Sequence, residues 1–182
     1  MQQVLRPVDV VVACRVASLA ASRREWTHQE LRYDLGVSTS TAYLAVDRCR
    51  KAQLLLPSGK ISGERLRDTL LYVVPLVYPA CYEGPGQGTP TATSATFSAD
   101  AGMFERRPDV ALVWPSPQRV RGVVVLPLHP SVPELAARDQ LLYELLALAD
   151  VVRVGSEADK QKAAKYVAQR LGLADPKARR EP

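Results

Sequence analysis

Cysteine and histidine are scarce in this sequence, and their spacing argues against a zinc site. The chain of 182 residues has three cysteines, Cys14, Cys49 and Cys81, and two histidines, His28 and His129. No Cys-x-x-Cys pair occurs, whereas zinc sites draw their ligands from clusters at short spacing. We therefore expect no metal and no cofactor. Cys14 and Cys49 fall on the apolar faces of predicted helices, which predicts buried thiols.

Long apolar runs are also lacking. No stretch reaches the roughly 18 apolar residues that a membrane-spanning helix needs. The N-terminal stretch MQQVLRPVDVVVAC carries Asp9 and runs directly into Arg15, which is unlike a secretory signal peptide. We therefore expect a cytoplasmic protein with no membrane partner.

Motifs that carry catalysis are absent or incomplete. The stretch GPGQGT at residues 84–89 lacks the Gly-Lys-Ser/Thr ending of a phosphate-binding loop, which favours a flexible loop instead. His129 lies close in sequence to Ser131 and Glu134, but neither a nucleophile elbow nor a second nearby histidine accompanies it. We interpret His129 as a structural residue and predict that the protein is not an enzyme.

Positive charge is in modest excess, and most of the excess lies in the first half. The formal net charge is +5, and residues 1–80 hold 11 Lys and Arg against 7 Asp and Glu, whereas residues 81–182 hold 13 against 12. A surplus of this kind suits a partner that carries phosphates.

Capping residues and apolar spacing predict several helices in the N-terminal half. Pro7 is typical of a first helical turn. Thr27 and Glu30 form a capping box that begins a second helix, and Gly36 ends it. Ser38 then caps a third helix, expected to run to about residue 53.

After this helix, the sequence predicts a turn and a fourth helix. The stretch LLLPSGKIS at 54–62 has the composition of a short extended piece and a turn. The stretch GERLRDTLLYVV at 63–74 is expected to be helical and to stop before Pro75.

The second half begins with a segment of different character. Residues 81–109 are rich in Gly, Pro, Ser, Thr and Ala and show no period, which predicts a flexible loop and a boundary between two halves. Two apolar runs, VALVWP at 110–115 and RVRGVVVLPL at 119–128, are expected to be a hairpin or neighbouring strands. Two helices should follow, over about 140–152 and 160–171, and the tail 175–182 should be disordered.

The helix over 140–152 is apolar around most of its circumference, so it must be buried. Two alternatives stay open at this point. The helix lies either in the core of one monomer or partly against a second subunit.

The stretch 27–55 predicts two helices joined by a tight turn, the arrangement of a helix-turn-helix. In helix-turn-helix proteins, the second helix enters the major groove of DNA with its N-terminal end. Short hydroxyl side chains at that end let the backbone approach phosphates, and they donate hydrogen bonds to phosphates and base edges. The apolar positions that should pack the two helices together are Leu31, Leu35, Val37, Ala42, Val46 and Leu54.

This motif resembles the helix-turn-helix of winged-helix transcription regulators, including the MarR-like group, over about residues 7–60. The resemblance is carried by Gln29, Glu30, Leu31, Leu35, Gly36, Val37, Ser38, Arg48, Leu54 and Leu55. It implies a three-helix core, DNA binding by the helix from Ser38, and a reduced wing at LPSGKIS. The fold class expected is α+β: a winged helix-turn-helix domain at 1–80, then a small region at 110–174 with a short β-sheet and two helices.

The function expected is that of a sequence-specific DNA-binding transcription regulator, acting as a homodimeric repressor on double-stranded DNA. The predicted DNA contacts are Thr27, Gln29, Ser38, Thr39, Ser40, Thr41, Tyr43, Leu44, Arg48, Arg50, Lys51 and Lys60. The alternative is a protein-binding adaptor or antitoxin that clamps a partner protein. A small-molecule effector bound by the second half is compatible with the first hypothesis.

Overall fold

The protein folds as an α+β structure. The computed structural model of the chain describes residues 4–99, 103–104, 110–118 and 120–174. The predicted disordered tail at 175–182 lies outside the described residues.

Helices make up the first half. They are α1 (Pro7–Ala21), α2 (His28–Leu35), α3 (Thr39–Lys51), α4 (Gly63–Asp68), a π-helical turn (Thr69–Val73) and α5 (Val74–Val77). Helical structure was predicted to stop before Pro75, but it continues past this residue to Val77. Pro75 has no N–H to donate, and a π-helical turn lies directly before α5.

The second half alternates strands and helices. The elements are β1 (Tyr82–Pro90), a 3-10 turn (Ala92–Ser94), α6 (Thr96–Ala99), β2 (Ala111–Pro115), β3 (Val120–Val125), α7 (Val132–Ala136), α8 (Gln140–Val154) and α9 (Glu157–Arg170). Each strand pairs with both others: β1 is antiparallel to β2 and β3, and β2 is parallel to β3. The two predicted apolar strands are therefore neighbours and not a hairpin.

The prediction of a flexible loop over 81–109 was wrong for its first part, which forms β1. A Cβ atom on Gly88 would lie 1.7 Å from the carbonyl oxygen of Trp114, and one on Gly122 would lie 2.2 Å from that of Ala111. The glycines therefore allow the three strands to approach closely and do not mark a loop. Residues 100–102 and 105–109 of the predicted loop lie outside the described residues.

One continuous hydrophobic core spans the predicted boundary at residue 80. Helix α8 is buried along most of its length and packs against α1 and α9. The apolar helix is thus covered within the monomer, which decides between the two alternatives left open above. Cys14 and Cys49 are buried in the same core, as expected, and burial raises the pKa of both thiols, to about 12 for Cys49.

An ionic cluster fixes α2 and the start of α8 against α1. The guanidinium of Arg15 donates to Asp34 from Nε at 2.7 Å and to Asp139 from Nη1 at 2.5 Å. Asp139 also caps α8 by accepting the N–H of Leu142 at 3.0 Å, and it accepts the hydroxyl of Ser18 at 2.5 Å. Helix α2 and the start of α8 are therefore held to α1 by charged side chains as well as by apolar packing.

Candidate nucleic-acid interface

The turn between α2 and α3 is built by the residues that the sequence singled out. Thr27 caps α2 by accepting the N–H of Glu30 at 3.1 Å. The predicted capping box is not completed, because the Glu30 carboxylate pairs with Arg24 instead. Gly36 ends α2 in the left-handed conformation with φ of 62°, where its N–H and that of Val37 bond the last carbonyls of the helix. Glycine adopts this conformation without the steric cost that a Cβ imposes. Helix α3 therefore starts after a turn of three residues.

The N-terminal end of α3 presents hydroxyl groups to solvent. Ser38 caps the helix by accepting the N–H of Thr41 at 3.1 Å. Its Oγ also lies 2.9 Å from the hydroxyl of Ser40 and 2.8 Å from that of Thr41. Ser38, Thr39 and Ser40 are exposed and Thr41 is half-buried. These hydroxyls and the positive end of the helix dipole form a surface suited to anionic oxygens.

Helix α3 is divided lengthwise into a buried face and an exposed face. The buried face carries Ala42, Ala45, Val46, Arg48 and Cys49, and the exposed face carries Thr39, Ser40, Tyr43, Leu44, Arg50 and Lys51. Of the apolar positions predicted to pack the two helices, all are buried except Val37, which is half-buried. The exposed face is free of the core along the whole helix.

Arg48 is the predicted contact that the structure places elsewhere. Its side chain is 4 % exposed and faces the core, where it forms an ion pair with Asp9 of α1. Nε donates to one carboxylate oxygen of Asp9 at 2.6 Å and Nη2 donates to the other at 2.7 Å. A carboxylate buried on the apolar face of α1 requires such a partner. Arg48 therefore does not reach a ligand on the exposed face.

The remaining predicted cations are at the surface. Arg50 is exposed, and Lys51 pairs with Asp47 one turn earlier at 2.7 Å. Lys60 is exposed in the turn after α3, and Thr27 and Gln29 are exposed at the start of α2. The surplus of positive charge on this surface is therefore small.

The segment after α3 folds into a short hairpin. Leu55 and Ile61 form an antiparallel bridge, and the N–H of Leu56 donates to the carbonyl of Lys60 at 2.9 Å. The indole Nε1 of Trp26 donates to the carbonyl of Gly59 at 2.9 Å, so the tip of the hairpin is tied to the loop before α2.

An aromatic group beside α3 was missed by the sequence reasoning. The ring of His28 stacks on Tyr43 with centroids 4.0 Å apart and planes 14° apart. The ring of Trp26 contacts His28 edge-on, with centroids 5.4 Å apart and planes at 63°. Burial lowers the pKa of His28, and the charge of Arg50 lowers it further. Trp26 and His28 are 2 positions apart in sequence, and His28 and Tyr43 are 15 apart. Helical and strand periodicities do not predict contacts at these separations.

A second polar cluster lies in the core, away from this surface. The carboxylate of Asp150 accepts hydrogen bonds from Thr91 at 2.8 Å, from Trp114 Nε1 at 2.6 Å and from Arg153 at 2.6 Å. Arg153 also donates to the carbonyls of Tyr78, Pro79 and Leu126. This network joins α8 to the sheet and to the chain after α5, which is a structural role.

The residues around His129 form local pairs within the connector before α8. His129 Nδ1 lies 2.8 Å from the hydroxyl of Ser131 and also accepts the backbone N–H of Ser131. Glu134 pairs with Arg138. Among the described residues, no group of three or more His, Cys, Asp and Glu is placed to hold a metal ion. None of the helices in the described parts of the chain has both the length and the apolar character to cross a membrane.

A cavity of about 400 Å³ opens between the sheet and the turn from α8 to α9. Its lining includes Tyr82, Leu112, Val123 and Val154. The volume is in the range of small-molecule pockets.

No protein-family model, curated protein or solved structure matches this chain.

Proposed function

We propose that this protein is a sequence-specific DNA-binding transcription regulator of the cytoplasm. In this proposal, α1, α2 and α3 are the three-helix core of a winged helix-turn-helix, α3 is the recognition helix, and the hairpin over 55–61 is a short wing. The supporting observation is that the N-terminal end of α3 lies in solvent with its hydroxyls outward while its opposite face is packed in the core.

The chemistry of that end matches a DNA backbone. Backbone N–H groups, small hydroxyls and the helix dipole all favour phosphate oxygens, and a helix of this width fits the major groove. Arg50 and Lys60 add exposed positive charge on α3 and on the hairpin. Arg48 is excluded as a contact because it is paired in the core. The proposed contacts are the other predicted residues: Thr27, Gln29, Ser38, Thr39, Ser40, Thr41, Tyr43, Leu44, Arg50, Lys51 and Lys60.

We propose that the regulator acts as a homodimer on a two-fold operator, most simply as a repressor. Two recognition helices accumulate the phosphate contacts that one weakly charged helix lacks. The exposed apolar side chains Tyr72, Leu76 and Val77, which are 64 %, 82 % and 51 % exposed, are the face proposed for the second subunit.

The test is selection of bound sequences from a library of random duplexes, followed by anisotropy titrations on the selected duplex. Arg50→Glu should weaken binding and reduce the slope of log K against log salt by about one for each subunit, or about two for the dimer. Lys165→Glu, which makes the same charge change on the exposed face of α9, is the matched control and should have much less effect. Failure of the wild-type protein to retain any duplex at low salt would overturn the proposal.

A second candidate function is a protein-binding adaptor or antitoxin. The observation that favours it is the same apolar face around Leu76, together with the small positive charge of the α3 surface. The oligomeric state of the pure protein, measured by analytical sedimentation, distinguishes the homodimeric regulator from the adaptor. A dimer that Leu76→Glu converts to a monomer supports the homodimer, whereas a monomeric wild-type protein that does not bind DNA favours the adaptor.

A further inference from the structure

A row of aromatic side chains connects the hairpin to the exposed face of α3. Trp26 is fixed at one end by its hydrogen bond to the carbonyl of Gly59. His28 lies edge-on to Trp26 and stacks on Tyr43 at 4.0 Å. Tyr43 is nevertheless 57 % exposed, because the His28 ring covers only one side of it.

The position of the His28 ring is set by packing and not by hydrogen bonds. Its Nε2 is buried and has no hydrogen-bond partner within the described residues. Burial lowers the pKa of His28, so the ring is neutral near pH 7. A neutral ring held between Trp26 and Tyr43 restricts the rotation of the tyrosine, and a large side chain that is already fixed loses little entropy on binding.

The exposed face of α3 has few means of reading bases by charged hydrogen bonds. Arg48 is paired with Asp9 in the core, and Lys51 is paired with Asp47. Arg50 is exposed, but it lies in the last turn of α3, away from the N-terminal end proposed to enter the groove. The large side chains that protrude near the N-terminal end are Tyr43 and Leu44, which is 46 % exposed. Apolar side chains in the major groove contact the C5 methyl group of thymine.

We propose that Tyr43 and Leu44 read thymine methyl groups in the operator, and that His28 is the residue that positions Tyr43 for this contact. The inference rests on the DNA-binding function proposed above. It assigns His28 a positioning role, since its ring touches Tyr43 and not the DNA.

The test uses the duplex selected from a random library of about 30 base pairs, long enough for two half-sites. Each thymine in turn is replaced by deoxyuridine, which removes the C5 methyl group and leaves base pairing unchanged. The wild-type protein should bind the thymine duplex about fourfold more tightly at a position where one methyl group is buried. Equal affinity for thymine and deoxyuridine at every position would overturn the thymine contact.

The role of His28 is tested with variants that keep or remove its ring. His28→Phe keeps a planar ring against Tyr43 and should retain the preference for thymine. His28→Ala should lose the preference at the thymine read by Tyr43, as Tyr43→Ala should, while the preference at the thymine read by Leu44 and the affinity for the deoxyuridine duplex change little. His28→Leu, which has bulk but no planar face, is the second variant if the alanine variant does not fold, and it too should lose the preference at the thymine read by Tyr43.

The outcomes separate this inference from the proposed function. Retention of the full thymine preference by a folded alanine or leucine variant overturns the positioning role. Binding of DNA without any thymine preference overturns the inference but leaves the regulator intact. Absence of binding to every duplex overturns both.

Discussion

Arg48 and Asp9 form a two-point ion pair between α3 and α1, with both carboxylate oxygens of Asp9 bonded at 2.6 and 2.7 Å. Asp9 is fully buried, and it also accepts the N–H of Arg6 at the start of α1. The pair thus joins the first helix of the fold to the last turn of α3. Its position sets the orientation of the helix that carries the exposed hydroxyls.

Removal of the Arg48 guanidinium should destabilise the protein strongly. Arg48→Met leaves the buried carboxylate of Asp9 without its partner, and breaking a buried pair from one side costs about 3–5 kcal/mol. The free energy of unfolding, measured by circular dichroism in urea, gives the result. Arg50→Met, two residues along the same helix but exposed, is the control and should change stability by about 0.5 kcal/mol or less. Similar stabilities for the two variants would contradict the assignment of Arg48 to the core.

The sequence predicts α2, the turn and α3 well because their signals are local. Thr27, Gly36 and Ser38 each act on backbone groups within three or four residues, so spacing alone identifies them. Arg48 was misplaced because it lies only about 40° around the helix axis from the exposed Leu44. Its partner is 39 residues away, and the available signal was Asp9 itself, a carboxylate within the apolar stretch of α1.

The glycine-rich strand and the aromatic stack depend on distant parts of the chain. Glycine and proline in β1 predict a loop by their local preferences, but Gly88 is needed because the backbone of Trp114 passes too close for a Cβ. Tyr43 and Leu44 were identified from the sequence, whereas the contact of His28 with Tyr43 was not. Such contacts follow from how α2 and α3 cross, which no local pattern contains.

The hydrogen bond from Trp114 to Asp150 should contribute measurably to stability. Burial raises the pKa of Asp150, and its donors Arg153, Thr91 and Trp114 oppose that rise. Trp114→Phe removes one donor from a buried carboxylate and should cost about 1–3 kcal/mol. Urea denaturation measures the loss in the free energy of unfolding. Trp26→Phe is the control, because that indole donates to a carbonyl in the surface hairpin. A larger loss for Trp26→Phe than for Trp114→Phe would contradict the prediction.

Two variants of Ser38 should separate capping from DNA contact. Ser38→Ala removes the cap of α3 and should lower the free energy of unfolding by about 1 kcal/mol. Ser38→Asp keeps a side-chain acceptor for the N–H of Thr41 and should leave stability nearly unchanged. The new negative charge should still weaken DNA binding, because it lies at the end proposed to face phosphates. Anisotropy titrations measure the affinity, and an aspartate variant that binds as tightly as the wild type would place this end away from DNA.

Stability should fall as the pH is lowered from 7.5 to 5.5, and the two histidines should account for much of the fall. Burial is the largest cause of a lowered pKa at both His28 and His129. Below the ordinary value of 6.5, the unfolded chain takes up protons on these rings that the folded protein does not, so protonation favours unfolding. The loss begins as the pH passes below 6.5 and continues down to the lower folded values.

The variants His28→Phe and His129→Asn test this origin separately and together. The first keeps a ring against Tyr43, and the second keeps a side-chain acceptor for the N–H of Ser131, so each removes a titrating group with little change in packing. The free energy of unfolding is measured in urea at several pH values over this range. Each single variant should flatten the dependence and the double variant should flatten it most. A double variant with the same slope as the wild type would show that other groups cause the loss.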